Sequence, residues 1–148
     1  MRLPDAVRIS VRGREILIKL KRYTGIGQWN TLCRVAYCYS LSISTEPTHL
    51  HEKGDCALEI DWATFAGPLK CELAALTAFR ISKSDTPPQE VAKYVRAHVE
   101  RGLAAIQNIR SLAEMSKVIR PGIYTAGTSK TDPNLLAASL VPEVKRNH

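Results

Sequence analysis

The stretch YTGIGQWNTLCRVAYCYSLSI, residues 23–43, constrains the fold of this chain more than any other. Leu32, Val35, Ala36, Tyr39 and Ile43 fall at i, i+3, i+4, i+7 and i+11, which is one face of an α-helix. A helix patterned this way has to bury that face against another element. Just upstream, Ile9, Ile16, Leu17 and Leu20 mark a narrower helical face within residues 8–23, with Gly13 as its weak point. Gly25 is expected to stop this first helix, because glycine takes the left-handed conformation without a Cβ clash. Gly27 gives the turn a second permissive position, and Gln28 begins the next helix. Two helices joined by so short a turn predict an αα-hairpin. The segment V-R-I-S alternates, so residues 7–10 fit an extended start equally well.

The remainder reads mostly as helix. EPTHLHEKGD, residues 46–55, is polar and rich in breakers, hence a loop. Residues 60–81 are apolar-periodic, with Trp62, Phe65, Leu69, Leu73, Leu76 and Phe79 marking the face. Gly67-Pro68 inside that segment predicts a kink or a break into two helices. Residues 82–88 form a linker, and Pro87-Pro88 with Glu90 suit a helix start. Val91, Tyr94, Val95, His98 and Val99 give that helix its face. Gly102 either caps it or marks a close approach, and residues 103–115 continue the pattern through Ile106, Ile109 and Leu112. Past Arg120-Pro121-Gly122 the pattern fades, apart from an apolar patch at residues 135–141. That tail is expected to be poorly ordered or to dock on a neighbouring subunit. The fold expectation is all-α: a compact helical domain over residues 1–118 built on the αα-hairpin, followed by a C-terminal extension over residues 119–148.

Several classes are disfavoured. A chain of 148 residues suits one domain with one core. No apolar run approaches the roughly 18 to 20 residues that span a bilayer. The opening MRLPDAVRIS has no apolar signal-peptide core. The expectation is a soluble cytoplasmic protein with no membrane partner. Cys33, Cys38, Cys56 and Cys71 form no C-x-x-C pair, and Cys33 and Cys38 lie about 140° apart around a helix. They are expected to be small buried hydrophobes rather than disulfides or zinc ligands. His49, His51, Glu52 and Asp55 could clip a divalent ion, but clusters of this kind are common in solvated loops, so no metal is expected. Of the five tyrosines none is nominated as a nucleophile, and no Ser/His/Asp or Cys/His order stands out. Gly25-x-Gly27 is not a nucleotide fingerprint, since no strand precedes it and no third glycine follows.

Charge carries the positive signal. The net charge is +7, and it is uneven: residues 1–45 hold eight basic and two acidic side chains, residues 46–86 four and seven, residues 87–148 nine and five. A basic first third points to an anionic partner, of which nucleic acid is the commonest. A merely solvated basic surface is the bland alternative. On a helical wheel Arg8, Arg12, Glu15, Lys19 and Arg22 fall within about 80° of one another, with Arg14 and Lys21 on the far side. Lys19, Lys21 and Arg22 precede the glycine turn and Arg34 lies one helix further on. Arg12, Lys19, Lys21, Arg22 and Arg34 are the candidate phosphate ligands, weighed against a solvated helix face. A turn that opens a helix N-terminus adds backbone donors. No zinc finger, RNP motif or recognition helix suggests base readout. His98, on an apolar face, reads first as a satisfied core residue, and Arg101 first as a structural partner of a nearby acid.

Three blocks together resemble a known family. KRYTGIGQWNTLCRVAYCYSL, then DWATFAGPLKCELAALTAFR, then YVRAHVERGLAAIQNI, spread over residues 7–115, resemble the DndE family of bacterial DNA phosphorothioation systems, in which sulfur replaces a non-bridging phosphate oxygen. The T-G turn with W-N-x-L-C-R and the block A-H-V-E-R-G are the specific parts; the middle helix is generic. The resemblance implies a compact helical fold and a homo-oligomer such as a tetramer. It also implies binding to double-stranded DNA, preferentially nicked, without a cofactor. The partners it implies are a cysteine desulfurase and proteins handling sulfur transfer and ATP. Under it, Gly25 and Gly27 gain a second reading, close backbone approach between subunits. It leaves open a nickase that opens the strand for sulfur insertion and would use a divalent metal, and an adaptor that binds no DNA.

Overall fold

The chain is described here by a computed structural model over residues 1–48, 55–82 and 85–120. It opens with strand β1 (Ala6–Ile9), then helices α1 (Val11–Thr24) and α2 (Trp29–Ser42). Strand β2 (Leu58–Asp61) leads directly into helix α3 (Trp62–Ala66), a single 3₁₀ turn (Gly67–Leu69) and helix α4 (Lys70–Ile81). Helices α5 (Pro88–Ile106) and α6 (Leu112–Ile119) complete the described fold.

The all-α expectation is corrected by the two strands. They pair antiparallel, with Val7 opposite Ile60 and Ile9 opposite Leu58. Val7, Ile9 and Ile60 point into the core, while Arg8 and Glu59 face solvent and pair across the ladder at 3.0 Å. Alternation of period two makes these residues strands, and Arg8 thereby leaves the helical stripe on which the wheel placed it. Ile60 likewise belongs to β2 rather than to the helix that follows.

Helix α1 is anchored from a distance. Ser10 caps it, its Oγ accepting from the Gly13 amide at 3.0 Å. The Glu100 carboxylate, from the middle of α5, accepts the Ser10 amide at 2.6 Å and the Ser10 hydroxyl at 2.9 Å. A carboxylate at a helix N-terminus also complements the helix dipole. Gly13 leaves room for this contact: a Cβ there would lie 3.0 Å from Glu100 Oε2 and 2.7 Å from Ile9 Cγ2. At the other end Gly25 takes φ 73° and its amide closes on Lys21 O, as the sequence predicts.

The turn between α1 and α2 is present, but α2 packs most extensively on α5 rather than on α1. Gly102 is the reason the two can meet so closely, since a Cβ on it would sit 1.9 Å from the Ala36 carbonyl oxygen. Close approach, not capping, is therefore its role. Leu32, Cys33, Ala36 and Tyr37 of α2 are buried, as are Val95, Val99 and Leu103 of α5. Gly67-Pro68 breaks the third apolar segment, with Gly67 at φ 54°. Beyond the break only Leu73 and Thr77 of α4 are buried, and Leu69, Leu76 and Phe79 face outward, against the sequence expectation. Helix α5 starts at Pro88 as predicted, but it ends at Ile106, and Ser111 caps a separate α6 that buries Met115.

Of the four cysteines only Cys33 is buried, which pushes its thiol up to about 12; Cys38, Cys56 and Cys71 are exposed, so the expectation of buried cysteines holds for one. All four are free. His49, His51 and Glu52 lie outside the described residues, as does the chain from 121 to 148, so the metal clip and the tail are not part of this description. Among the described residues no helix is long and apolar enough to cross a membrane.

Candidate nucleic-acid interface

Helix α1 turns only Gly13, Ile16, Leu17, Leu20 and Thr24 inward. The rest of its circumference is solvent-facing and strongly basic. Arg12, Arg14, Lys19, Lys21 and Arg22 are all exposed, and none makes a hydrogen bond or ion pair with another described residue. Glu15 is the helix's single acid. Arg14 and Lys21, opposite the Arg12–Lys19–Arg22 flank on the wheel, are thus not on a buried side. The two flanks border one wide face, with Val11 and Ile18 exposed between them. Five unneutralised cations on one helix create a local positive potential that an external anion can relieve.

The turn after α1 is held by Thr24, whose Oγ1 donates to Leu20 O at 2.7 Å and accepts from the Ile26 amide at 3.2 Å. Gly25 needs its left-handed conformation. Gly27 does not: its φ lies outside that range, and among the described residues no atom beyond its chain neighbours lies within 4 Å of where a Cβ would stand. Nothing among the described residues therefore requires glycine at 27. Helix α2 then begins without a side-chain cap, since Gln28 makes no cap hydrogen bond. Lys21, Gly27, Gln28, Trp29 and Asn30 line an open groove of about 440 Å³ together with Glu59 and Asp61 of β2 and Thr64 of α3. Those acids are engaged locally: Glu59 by Arg8, and Asp61 by the Thr64 hydroxyl and amide, which hold its carboxyl below the usual range.

Arg34 stands apart from the other candidates. It is half-buried, and its Nη1 donates to Phe65 O at 2.8 Å and Thr64 O at 3.4 Å, while Nη2 donates to Thr31 Oγ1 at 3.0 Å. It lies close over Gly67, where a Cβ would come within 2.7 Å of Nη1. This arginine closes the C-terminal end of α3, so the basic face is built without it. Sequence reasoning missed Arg110 instead. Its guanidinium lies over the Tyr23 ring, 4.8 Å from the centroid, and donates to the Tyr23 hydroxyl at 2.6 Å. The two residues are 87 apart in sequence, and no local signal links them.

His98 and Arg101 form a second polar cluster with a structural role. Arg101 donates to Ser40 Oγ, Ser40 O and Thr45 O, each at 2.7 Å, so it closes the C-terminal end of α2 rather than pairing with an acid. Ser40 Oγ also lies 2.9 Å from His98 Nδ1. Because arginine can only donate, the Ser40 proton is free to go to Nδ1, which leaves the imidazole proton on Nε2. That atom is 3.4 Å from Glu46 Oε2, near enough to feel the charge but without a hydrogen bond. Burial and the Arg101 cation push the His98 pKa down to about 4, against the opposing pull of Glu46. The Tyr37 and Tyr94 phenols are both pushed up by burial, so neither is an activated nucleophile. Among the described residues no group of three His, Cys, Asp or Glu side chains is placed to hold a metal ion.

The fold and site together define a small, mostly helical domain whose outer helix α1 presents five cations that no described residue neutralises, a surface open to an anionic partner. Its relatives give the particular family. Residues 6–114 match the family described as DNA sulphur modification protein DndE, and the chain belongs to that family. Among solved structures it is similar to DndE from Escherichia coli B7A involved in DNA phosphorothioation modification, at 27% identity and TM-score 0.63 over 73% of this chain and 100% of that one. It is also similar to a DndE mutant, involved in DNA phosphorothioation, in which two glycines are replaced by lysine, at 25% identity and TM-score 0.59 over 71% of this chain and 99% of that one. No curated protein matches the chain.

Proposed function

We propose that this chain is the double-stranded DNA-binding component of a bacterial DNA phosphorothioation system, preferring nicked duplex and acting through backbone and charge contacts. The observation that carries the reading is the set of five cations on α1 that no described residue neutralises. Each phosphate so contacted contributes about 0.9 to the slope of log affinity against log salt, so five contacts would make binding strongly salt-dependent. The uncapped start of α2 adds backbone donors beside Lys21. A homo-oligomer such as a tetramer would multiply this surface and raise avidity. Gly27, open and free of any intramolecular requirement, supports close approach of a second subunit at the turn. No cofactor is required, and the reading places the protein beside a cysteine desulfurase complex in the cytoplasm.

The test is fluorescence anisotropy with a nicked and an intact duplex over a range of salt, for the natural chain and for Lys19→Glu/Arg22→Glu. The double variant should bind more than tenfold more weakly and with a shallower salt slope, and keep its melting temperature. Unchanged binding would refute the reading. A parallel supercoiled-plasmid assay in magnesium and in EDTA decides the alternatives. Open-circular product that survives deproteinisation would replace it with a nickase, and co-purification of a partner without any DNA binding would replace it with an adaptor.

A further inference from the structure

We propose that Arg110 is a further phosphate ligand, positioned by Tyr23, at the C-terminal end of the α1 cation row; this rests on the DNA-binding reading above. Tyr23 lies on the Arg12–Lys19 flank of α1, within about 40° of both on the helical wheel. Arg12, Lys19 and Tyr23 are spaced by seven and four residues, roughly 10 Å and 6 Å along the axis. A guanidinium held over the Tyr23 ring therefore continues that row by one position, although it comes from a different part of the chain.

The way Arg110 is held separates it from the other arginines. Arg34 and Arg101 donate to backbone carbonyls, and Arg8 and Arg80 pair with carboxylates. Arg110 is exposed, and its guanidinium meets a ring face and a phenol hydroxyl, neither of which cancels its charge. One Nη1 contact is used, while Nε and Nη2 have no hydrogen-bond partner among the described residues. The nearby carboxylate of Glu114 is engaged by the Arg110 backbone amide at 2.8 Å rather than by the guanidinium. Main chain and side chain are thus both fixed before any ligand arrives. A planar donor group already oriented loses little further freedom on meeting a phosphate.

The bland alternative is a surface staple between α1 and the connection from α5 to α6. The discriminating experiment is the salt dependence of binding to a nicked duplex, by anisotropy, for the natural chain, Arg110→Gln, Arg110→Lys, Tyr23→Phe and Tyr23→Leu, with thermal melts alongside. Loss of one phosphate contact should lower the salt slope by about 0.9, so between 50 and 200 mM salt the natural chain should lose about 3- to 4-fold more affinity than Arg110→Gln. Tyr23→Leu should move in the same direction by less, and Tyr23→Phe and Arg110→Lys least. A staple alone would lower the melting temperature of Arg110→Gln and leave the slope unchanged, and that result overturns the assignment. If the natural chain binds nicked duplex without salt dependence, or not at all, the underlying DNA reading falls and this assignment with it.

Discussion

Gly102→Ala sets local and tertiary physics against each other. In the interior of a helix alanine is preferred over glycine by roughly 0.5–1 kcal/mol, so propensity alone predicts a more stable protein. The packing predicts the reverse. The added Cβ would lie 1.9, 2.4 and 2.8 Å from the O, C and Cα of Ala36, all main-chain atoms that no rotamer change can move. To bring the closest of these to a bare 3.0 Å, α2 and α5 must part by about 1 Å. A gap of that size forfeits about a quarter to a half of each dispersion contact across the seam. The two helices bury Leu32, Cys33 and Tyr37 and Val95, Val99 and Leu103 respectively, all within the core. The expected net loss is about 3 kcal/mol or more, a large share of the ~5–15 kcal/mol that holds a domain together. It should appear as a lower urea midpoint at constant slope and a melting temperature down by roughly 10 °C. Ala36→Gly should not rescue it, because the obstacle is the carbonyl and not the side chain. The displacement would reach the basic face too, since Glu100 on α5 holds the Ser10 cap of α1. A Gly102→Ala protein as stable as the natural chain would refute the close crossing and this route from core to site.

The two turn glycines should behave differently. Gly25→Ala places a Cβ at φ 73° and should cost about 1–2 kcal/mol in denaturant titrations. Gly27→Leu should leave the melting temperature within a few degrees yet lower the sedimenting mass, and an unaltered oligomer would remove this turn from the self-association surface. His98 makes stability fall with acid. Its folded pKa, about 4, is below the unfolded value near 6.5, so the unfolded chain takes up the proton first as pH falls. The contribution is complete above about pH 6.5 and is lost as pH falls through about 4, by up to about 3 kcal/mol. His98→Gln should flatten the difference between urea midpoints at pH 7.5 and pH 4.5, and an equally steep loss in the variant would acquit the histidine.

What the sequence reveals here is what depends on neighbours three or four residues away. The existence of α2, the stop at Gly25, the break at Gly67-Pro68 and the start at Pro88 are all local, whereas the buried face of α2 is turned from the expected one: Cys33, Tyr37 and Ser40 join Leu32 and Ala36 inside, and Val35, Tyr39 and Ile43 are half-buried. The first strand was legible only as an alternative and the second not at all, because four residues of alternation at Ala6–Ile9 cannot be told from the start of an amphipathic helix until Leu58–Asp61 pairs with them. The site was legible as a cluster of cations but not as a division between free and committed ones. That division follows from how each helix ends. Helix α2 ends in Ile43 with extended backbone and no glycine, and its last carbonyls draw in side chains from elsewhere: Arg101 on Ser40 O and Arg80 on Leu41 O. Helix α3 ends at the Gly67-Pro68 break, and Thr64 O and Phe65 O draw in Asn30 and Arg34. Helix α1 closes its own end, with the Gly25 amide on Lys21 O and the Thr24 hydroxyl on Leu20 O. Among the described residues no carbonyl at that end draws in Lys21 or Arg22. The same glycine that turns the chain therefore leaves the basic helix with its cations unclaimed, and a residue as far off as Arg110 reaches its end only by way of a tyrosine ring.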